Sequence, residues 1–498
     1  MTGRICGEMN MNCLVDGWEI VIGLEMHAQV ASKEKLFSES LTDGDEGANT
    51  RVTFFDAGFP GTLPVLNKAC VDQAIRTGFG IHGTINKVSI FDRKHYFYPD
   101  LPSGYQISQF FHPIVTGGYV EILDGGQPLK MGITRIHLEQ DAGKIIHGDD
   151  PMQVFVDLNR AGIALMEIVT EPDMRSVDQA VAVAKKVHAL VQYLGTCEGN
   201  MERGNFRVDC NISLHRPGTP FGTRVEIKNL NSFRYMHEAL SFEVERQKEV
   251  LESGGTVSQE TRLYDTVLGV TKVMRDKEDA NDYRYFPDPD LKPLVLTDEQ
   301  IERVRQGMPE LPDEKKARYM ESFGLSEYDA DILSGELTLA AYYESAVQGG
   351  EFADARAAYK LVANWIMGDL FAHMKEADVT VEQLEIPPEF IAQLVSLIQK
   401  GTISGKMAKT IFEEMWAQPK QSPREIIQRL GLQQISNDDE IRSAVRDILV
   451  QNAALVDNYR AGKESLFGFF VGQTMKHFRG QANPEMVNRI LKEELDTQ

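Results

Sequence analysis

Five segments of this chain alternate apolar and polar residues with period two and carry charge on one face only. In Trp18 to Val30, the side chains of Ile20, Ile22, Leu24, Met26, Ala28 and Val30 fall on one face, and Glu25, His27 and Gln29 on the other. Successive strand residues point to opposite sides, so each segment reads as a strand. The pattern recurs with Arg135, His137, Glu139 and Asp141, with Glu167, Val169 and Glu171, with Arg207, Asp209, Asn211 and Ser213, and with Arg224, Glu226 and Lys228. These segments predict a sheet with one apolar face and one face of carboxylates, imidazole and cations. Such a face suits a magnesium-nucleotide site, because Mg²⁺ takes hard oxygen ligands and keeps waters and phosphates.

The 498 residues predict several domains. Residues 1–17 read as an N-terminal extension and 18–295 as a strand-rich domain with Gly and Pro turns. Two helices interrupt that domain. Ser176 with Gln179 reads as a capping box before one, and Ser232 precedes the other. Antiparallel strands with interposed helices make the class α+β. Residues 296–350 read as a helical connector and 351–498 as an all-helical tail, punctuated by Pro387-Pro388, Gly401, Gly405, Gly431 and Pro484.

A net charge of −22 argues against a sequence-blind nucleic-acid coat protein, which would be basic, and leaves room for a local basic patch. No run approaches the length of a membrane span, and the first residues lack the apolar core of a secretory signal, so the expected compartment is the cytoplasm. None of the five cysteines stands at zinc-ligand spacing, and no zinc is expected.

A lone Glu-x-His would be an exposed strand face. Repetition over further strands favours convergence on a cation, with Glu25, His27, Glu139, Glu167, Asp209 and Glu226 as the ligand pool. Arg93 and Lys94 lie inside an aromatic run, where cations could hold phosphates or an adenine ring; the alternative is an aromatic core edge with snorkelling cations. Lys228 to Ser232 leads from a strand into a helix start, a place for an anion, although Ser232 also reads as a plain cap. Gly401 to Lys406 fails as a P-loop in glycine spacing and in the residue after the lysine. No Gly/Ser-rich amidase signature is present, so this chain is not expected to hydrolyse glutamine itself. Phe467 to Gly480 reads either as an RNA-binding helix or as a packing helix with a basic edge.

Several of these stretches resemble the B subunit of the aspartyl/glutamyl-tRNA amidotransferase. They are Val21 to His27, Phe91 to Asp100, Arg135 to Lys144, Val156 to Arg160, Lys228 to Phe233 and Asp282 to Pro287. From about residue 353 the chain is similar to that family's YqeY-like tRNA-binding domain, including Val471 to Lys476. The resemblance implies an antiparallel cradle similar to the catalytic half of glutamine synthetase. It implies ATP-dependent phosphorylation of the side-chain carboxylate of Glu-tRNA(Gln) or Asp-tRNA(Asn), followed by amidation. Ammonia would come by tunnel from a glutaminase A subunit, with a small C subunit completing a heterotrimer: a carbon–nitrogen ligase with glutamine as amido donor.

On that reading Glu25, His27, Glu139 and Lys94 are the catalytic candidates, and Mg²⁺ is held from the six-residue pool. Arg93, Lys94, Lys228, Asn229 and Ser232 face ATP, and Lys476 and Arg479 contact tRNA. Glu139-Gln140-Asp141 stands where many members have Glu-Glu-Asp near the ammonia gate, which puts an acid–base role for Gln140 in doubt. The zinc-binding cysteine cluster of some members is missing from Leu36 to Ser40. The competing readings are a free-standing carboxylate–amine ligase and a non-catalytic RNA-binding scaffold.

Overall fold

The structure, a computed structural model, describes residues 14–44, 47–148, 150, 153–276, 283–432, 437–478 and 482–496. They form two compact units, residues 1–309 and 310–498.

The first unit is built on a sheet of 11 strands. Its principal members are β1 (Trp18–Gln29), β4 (Tyr119–Asp124), β5 (Gln127–Gln140), β6 (Ala164–Thr170), β7 (Phe206–His215), β8 (Val225–Leu230), β9 (Glu260–Asp265) and β10 (Val270–Asp276). Two further strands, β2 (Val88–His95) and β3 (Tyr105–His112), pair in a separate small sheet. Across the large sheet the order is β10-β9-β8-β7-β1-β6-β5, with β4 beside β5. Every pair in this series is antiparallel except β8 with β9.

The apolar face of β1 is fully buried. Ile22, Met26 and Ala28 have no exposure. Helices α2 (Val177–Tyr193) and α3 (Phe233–Glu252) cover that face, the first against β1 and the second against β7. Both start where expected. Ser176 Oγ accepts from Gln179 N at 3.1 Å and Ser232 Oγ from Tyr235 N at 3.1 Å. The return arm of the first cap is redirected: Gln179 Oε1 accepts from Arg175 N, one residue before the cap.

Two boundaries differ from the sequence reading. Residues 14–17 are not a loose extension. Leu14 and Val15 pair with Glu19 and Trp18 across a two-residue turn in which Asp16 and Gly17 both have positive φ, the conformation an Asp-Gly hairpin requires. At the other end α4 (Asp298–Gln306) belongs to the first unit. Its Arg303 holds Asp72 at 3.0 Å and Arg305 lies over the Phe79 ring, both on helix α1 (Lys68–Gly80).

The second unit is helical and has two separate cores. One gathers Tyr319, Tyr343, Ile366, Leu394 and Phe412, and the other Ile441, Val445, Phe470, Ile490 and Leu491. Among the described residues no helix is long and apolar enough to cross a membrane.

Candidate active site

Strand register turns the alternating segments into rows. Glu167 on β6 stands opposite His27 on β1 and also opposite His137 on β5, and Arg207 on β7 continues that row beyond His27. One step along, Asp209 faces Glu25, and one step the other way Leu165 faces both Gln29 and Glu139. Residues directly opposite in a sheet share a face, so these polar groups converge above a single surface.

Their atoms meet. His27 Nε2 lies 3.6 Å from Glu139 Oε1 and 3.5 Å from Glu167 Oε2. His137 Nε2 lies 3.1 Å from Glu167 Oε2 and 3.7 Å from Glu139 Oε2. The donor atoms of His27, Glu139 and Glu167 all fall within 4.8 Å of one another, close enough for one cation. Burial pulls both imidazoles toward the neutral form, but the two carboxylates outweigh it. The His27 pKa is raised and that of His137 reaches about 9. Burial and Glu167 push the Glu139 pKa up, yet His137, Lys94 and His27 leave it lowered. The two glutamates thus favour positive charge at this spot, which a divalent cation would also supply.

The other members of the predicted ligand pool are engaged elsewhere. Asp209 and Glu226 both hold the Lys228 ammonium, at 2.8 and 3.0 Å. Glu226 also accepts from Thr261 Oγ1 at 2.8 Å. Glu25 accepts from Asn211 at 2.9 Å, and its pKa is raised by burial and then by Glu167. Of the pool of six, His27, Glu139 and Glu167 are the three whose donor atoms the structure brings within 4.8 Å of one another. His137 joins them, although the sequence reading had placed it on the same strand face without choosing it.

A groove of about 1740 Å³ opens over this face. His27, Glu139, Lys94, Asp209, Lys228, Asp141, Arg160 and Arg207 are among the residues lining it. Lys94 projects toward the carboxylates. Burial alone would lower its pKa, but Glu139 and then Tyr285 and Glu167 raise it, so it stays charged. Its neighbour Arg93 points the other way along the strand. The Arg93 guanidinium binds Asp288 and Asp290, each at 2.8 Å, and lies over the Tyr105 ring. Arg93 is therefore withdrawn as a phosphate contact. Ser232 is likewise spent, its hydroxyl capping α3. The Asn229 side chain and all of Arg479 lie outside what the structure describes.

Gln140 ties the small sheet to the large one. Its Oε1 accepts from Ile107 N at 3.0 Å, and its carbonyl accepts from Gln106 Nε2 at 2.7 Å. Asp141, just past the strand, is gripped by Arg207 at 2.9 Å and flanked by Arg160 and Gln29. At the position of the missing cysteine cluster, Ser38 Oγ instead donates to Asp56 at 2.9 Å. In the second unit Lys476 is exposed in the last turn of helix Phe467–His477.

Residues 20–302 match the GatB/GatE catalytic domain, and residues 344–495 match the GatB domain. Relatives extend over almost the whole chain. The aspartyl/glutamyl-tRNA(Asn/Gln) amidotransferase B subunit of Hydrogenovibrio crunogenus is 53% identical over 479 residues, covering 96% of this chain and 99% of the relative. The B subunits of Gluconobacter oxydans and Rickettsia felis are 50% and 49% identical, covering 95% and 96% of this chain and 97% and 98% of the relatives. The chain belongs to the family of these amidotransferase B subunits.

Proposed function

We propose that this chain is the amidating subunit of a tRNA-dependent amidotransferase, a carbon–nitrogen ligase working with a glutaminase A subunit and a small C subunit. The observation that carries this reading is the convergence of His27, Glu139 and Glu167, of which His27 and Glu139 line the groove together with Lys94, in a chain about half identical to the family's B subunits over nearly its full length. The substrates are Glu-tRNA(Gln), Asp-tRNA(Asn) or both, with ATP. A side-chain carboxylate oxygen attacks the γ-phosphorus of ATP, and ADP leaves. Ammonia then attacks the acyl carbon, and inorganic phosphate departs with the oxygen.

Phosphoryl transfer needs chiefly alignment and charge neutralisation. Mg²⁺ held by His27, Glu139 and Glu167, with Glu25, Asp209 and Glu226 close by, would neutralise phosphate oxygens. The imidazole nitrogen is an uncommon donor to so hard a cation, and the two glutamates make the set suitable. Lys94, held protonated, offers a fixed positive charge to the transferring group. Lys228 supplies a second cation, oriented by Asp209 and Glu226. In the tail, Lys476 is the residue we assign to the tRNA backbone.

The test is amidation of both charged tRNAs by the reconstituted enzyme with ATP, Mg²⁺ and ammonium. Wild type should form Gln-tRNA or Asn-tRNA, and His27→Ala should lose about 100-fold or more. Activity untouched by His27→Ala would move the site off the first strand. No product from either tRNA would favour a scaffold.

A further inference from the structure

Three groove-lining residues each carry a buried polar atom with no partner among the described residues: Arg51 Nε and, two positions apart, Asn205 Oδ1, an acceptor, and Arg207 Nε, a donor; the last pair forms one feature. Asn205 and Arg207 stand where β7 begins, so they share a face, with Phe206 buried on the other. Their Cα atoms are roughly 7 Å apart at strand rise. Leaving such groups unpaired costs free energy, and ligand sites are where that cost is recovered.

Each group is held in place from behind. Arg207 donates to Asp141 at 2.9 Å, and Asp141 also takes Gln29 Nε2 at 3.3 Å. Asn205 Nδ2 donates to Gln29 Oε1 at 3.1 Å and to Glu198 Oε2 at 3.4 Å, which aims Oδ1 away from both. Arg160 gives two of its donors to the carbonyls of Ala142 and Gly143, whereas Arg207 gives one to Asp141 and leaves its buried Nε unpaired two residues from Asn205 Oδ1. Arg207 stands among Asp141, Glu139 and Asp209, surroundings that suit one carboxylate better than a polyphosphate.

Building on the function proposed above, we infer that this stretch of the groove is the amino-acid subsite. Arg207 takes the side-chain carboxylate of the tRNA-borne residue, and Asn205 Oδ1 takes its free α-ammonium. The planar guanidinium fork matches a carboxylate, and the amide oxygen matches an N–H donor.

The test uses the reconstituted heterotrimer with saturating Mg-ATP and ammonium, and varies the charged tRNA. Arg207→Gln should lower amidation efficiency by about 10- to 100-fold, the range for a hydrogen bond to a charged group. Arg207→Lys should restore part of it. Affinity for uncharged tRNA and for Mg-ATP should stay within twofold of wild type in both. Asn205→Ala should cost roughly 10-fold with ordinary charged tRNA and clearly less with N-acetylated charged tRNA, whose α-nitrogen keeps one N–H and has lost its charge. Equal loss of uncharged-tRNA or Mg-ATP binding in Arg207→Gln would overturn the assignment in favour of a phosphate contact. A full Asn205→Ala penalty on the N-acetylated substrate would overturn the ammonium half. Absence of product from wild type would instead remove the amidotransferase reading itself.

Discussion

An ammonium with no solvent exposure needs three acceptors, and Lys35 has them. Its Nζ donates to Arg51 O at 2.7 Å, Asp56 Oδ2 at 3.2 Å and Leu158 O at 3.4 Å. Asp56 in turn accepts from Ser38 and Thr53. This one knot fixes the loop carrying Arg51 to the groove wall. Lys35→Met should cost about 3–5 kcal/mol in urea denaturation, because Asp56 is left charged and short of its partner. The double change Lys35→Met with Asp56→Leu should recover part of that loss, and a double variant worse than the single would refute the argument. Nothing in sequence marks Lys35, since a lysine among polar residues reads as exposed. Arg93 and Lys94 show the same limit differently. Both looked like phosphate ligands, and only strand parity, with Asp288 and Asp290 arriving from far along the chain, separates them. His27, Glu139 and Glu167 were legible because period-two alternation fixes their face whatever the register.

Register itself is an element-scale property. Lys228 meets Glu226 two residues back on its own strand, as alternation announces, whereas its contact with Asp209 crosses to β7 beside a register shift between Val208 and Cys210 that no local pattern announces. Helix α3 is anchored on the opposite face by a buried carboxylate. Glu243 has no exposure and meets Arg246 at 2.6 Å, Gln247 at 2.9 Å, Thr271 at 3.0 Å and Arg262 at 3.5 Å. The last two lie on β10 and β9, so Glu243 joins helix to sheet edge. Glu243→Ala should destabilise the first unit by about 3–5 kcal/mol. It should also raise hydrogen exchange in β9 and β10 before it does so in β1, and uniform exchange across the sheet would refute this anchoring. The Asp16-Gly17 hairpin carried an available signal, the Asp-Gly pair between apolar residues, which the reading of residues 1–17 as an extension overlooked.

At the scale of the whole chain, the helical tail was legible from its Gly and Pro punctuation, whereas the unit boundary was not. It falls after α4 because Arg303 and Arg305 bind α1, a contact between distant segments. Residues 310–498 own two apolar cores, so the fragment expressed alone should fold, with helical circular dichroism and cooperative melting. Its acid stability has a definite sign. Burial pushes the Glu344 pKa up, but Arg318, Lys315 and Tyr319 outweigh it and leave it lowered. Glu310, bound mainly by Arg318, is lowered too. Their contribution is therefore full above the unfolded value of 4.5 and lost as pH falls through the folded values. Melting temperature should drop below about pH 4.5, and Glu344→Gln should flatten that drop.

The parallel step between β8 and β9 also orders events in time. Antiparallel neighbours can close through a short turn, but a parallel pair needs a long crossover, here the segment containing α3. During synthesis β8 emerges well before β9. Until residues 260–276 follow, its outer edge keeps unpaired backbone groups, and long-range pairings of this kind form late. A chain arrested within α3 would carry an open edge able to pair with a second copy. A chain extended past residue 276 closes that edge and passes the exposed position to β10, where Lys272 stands paired with Asp265.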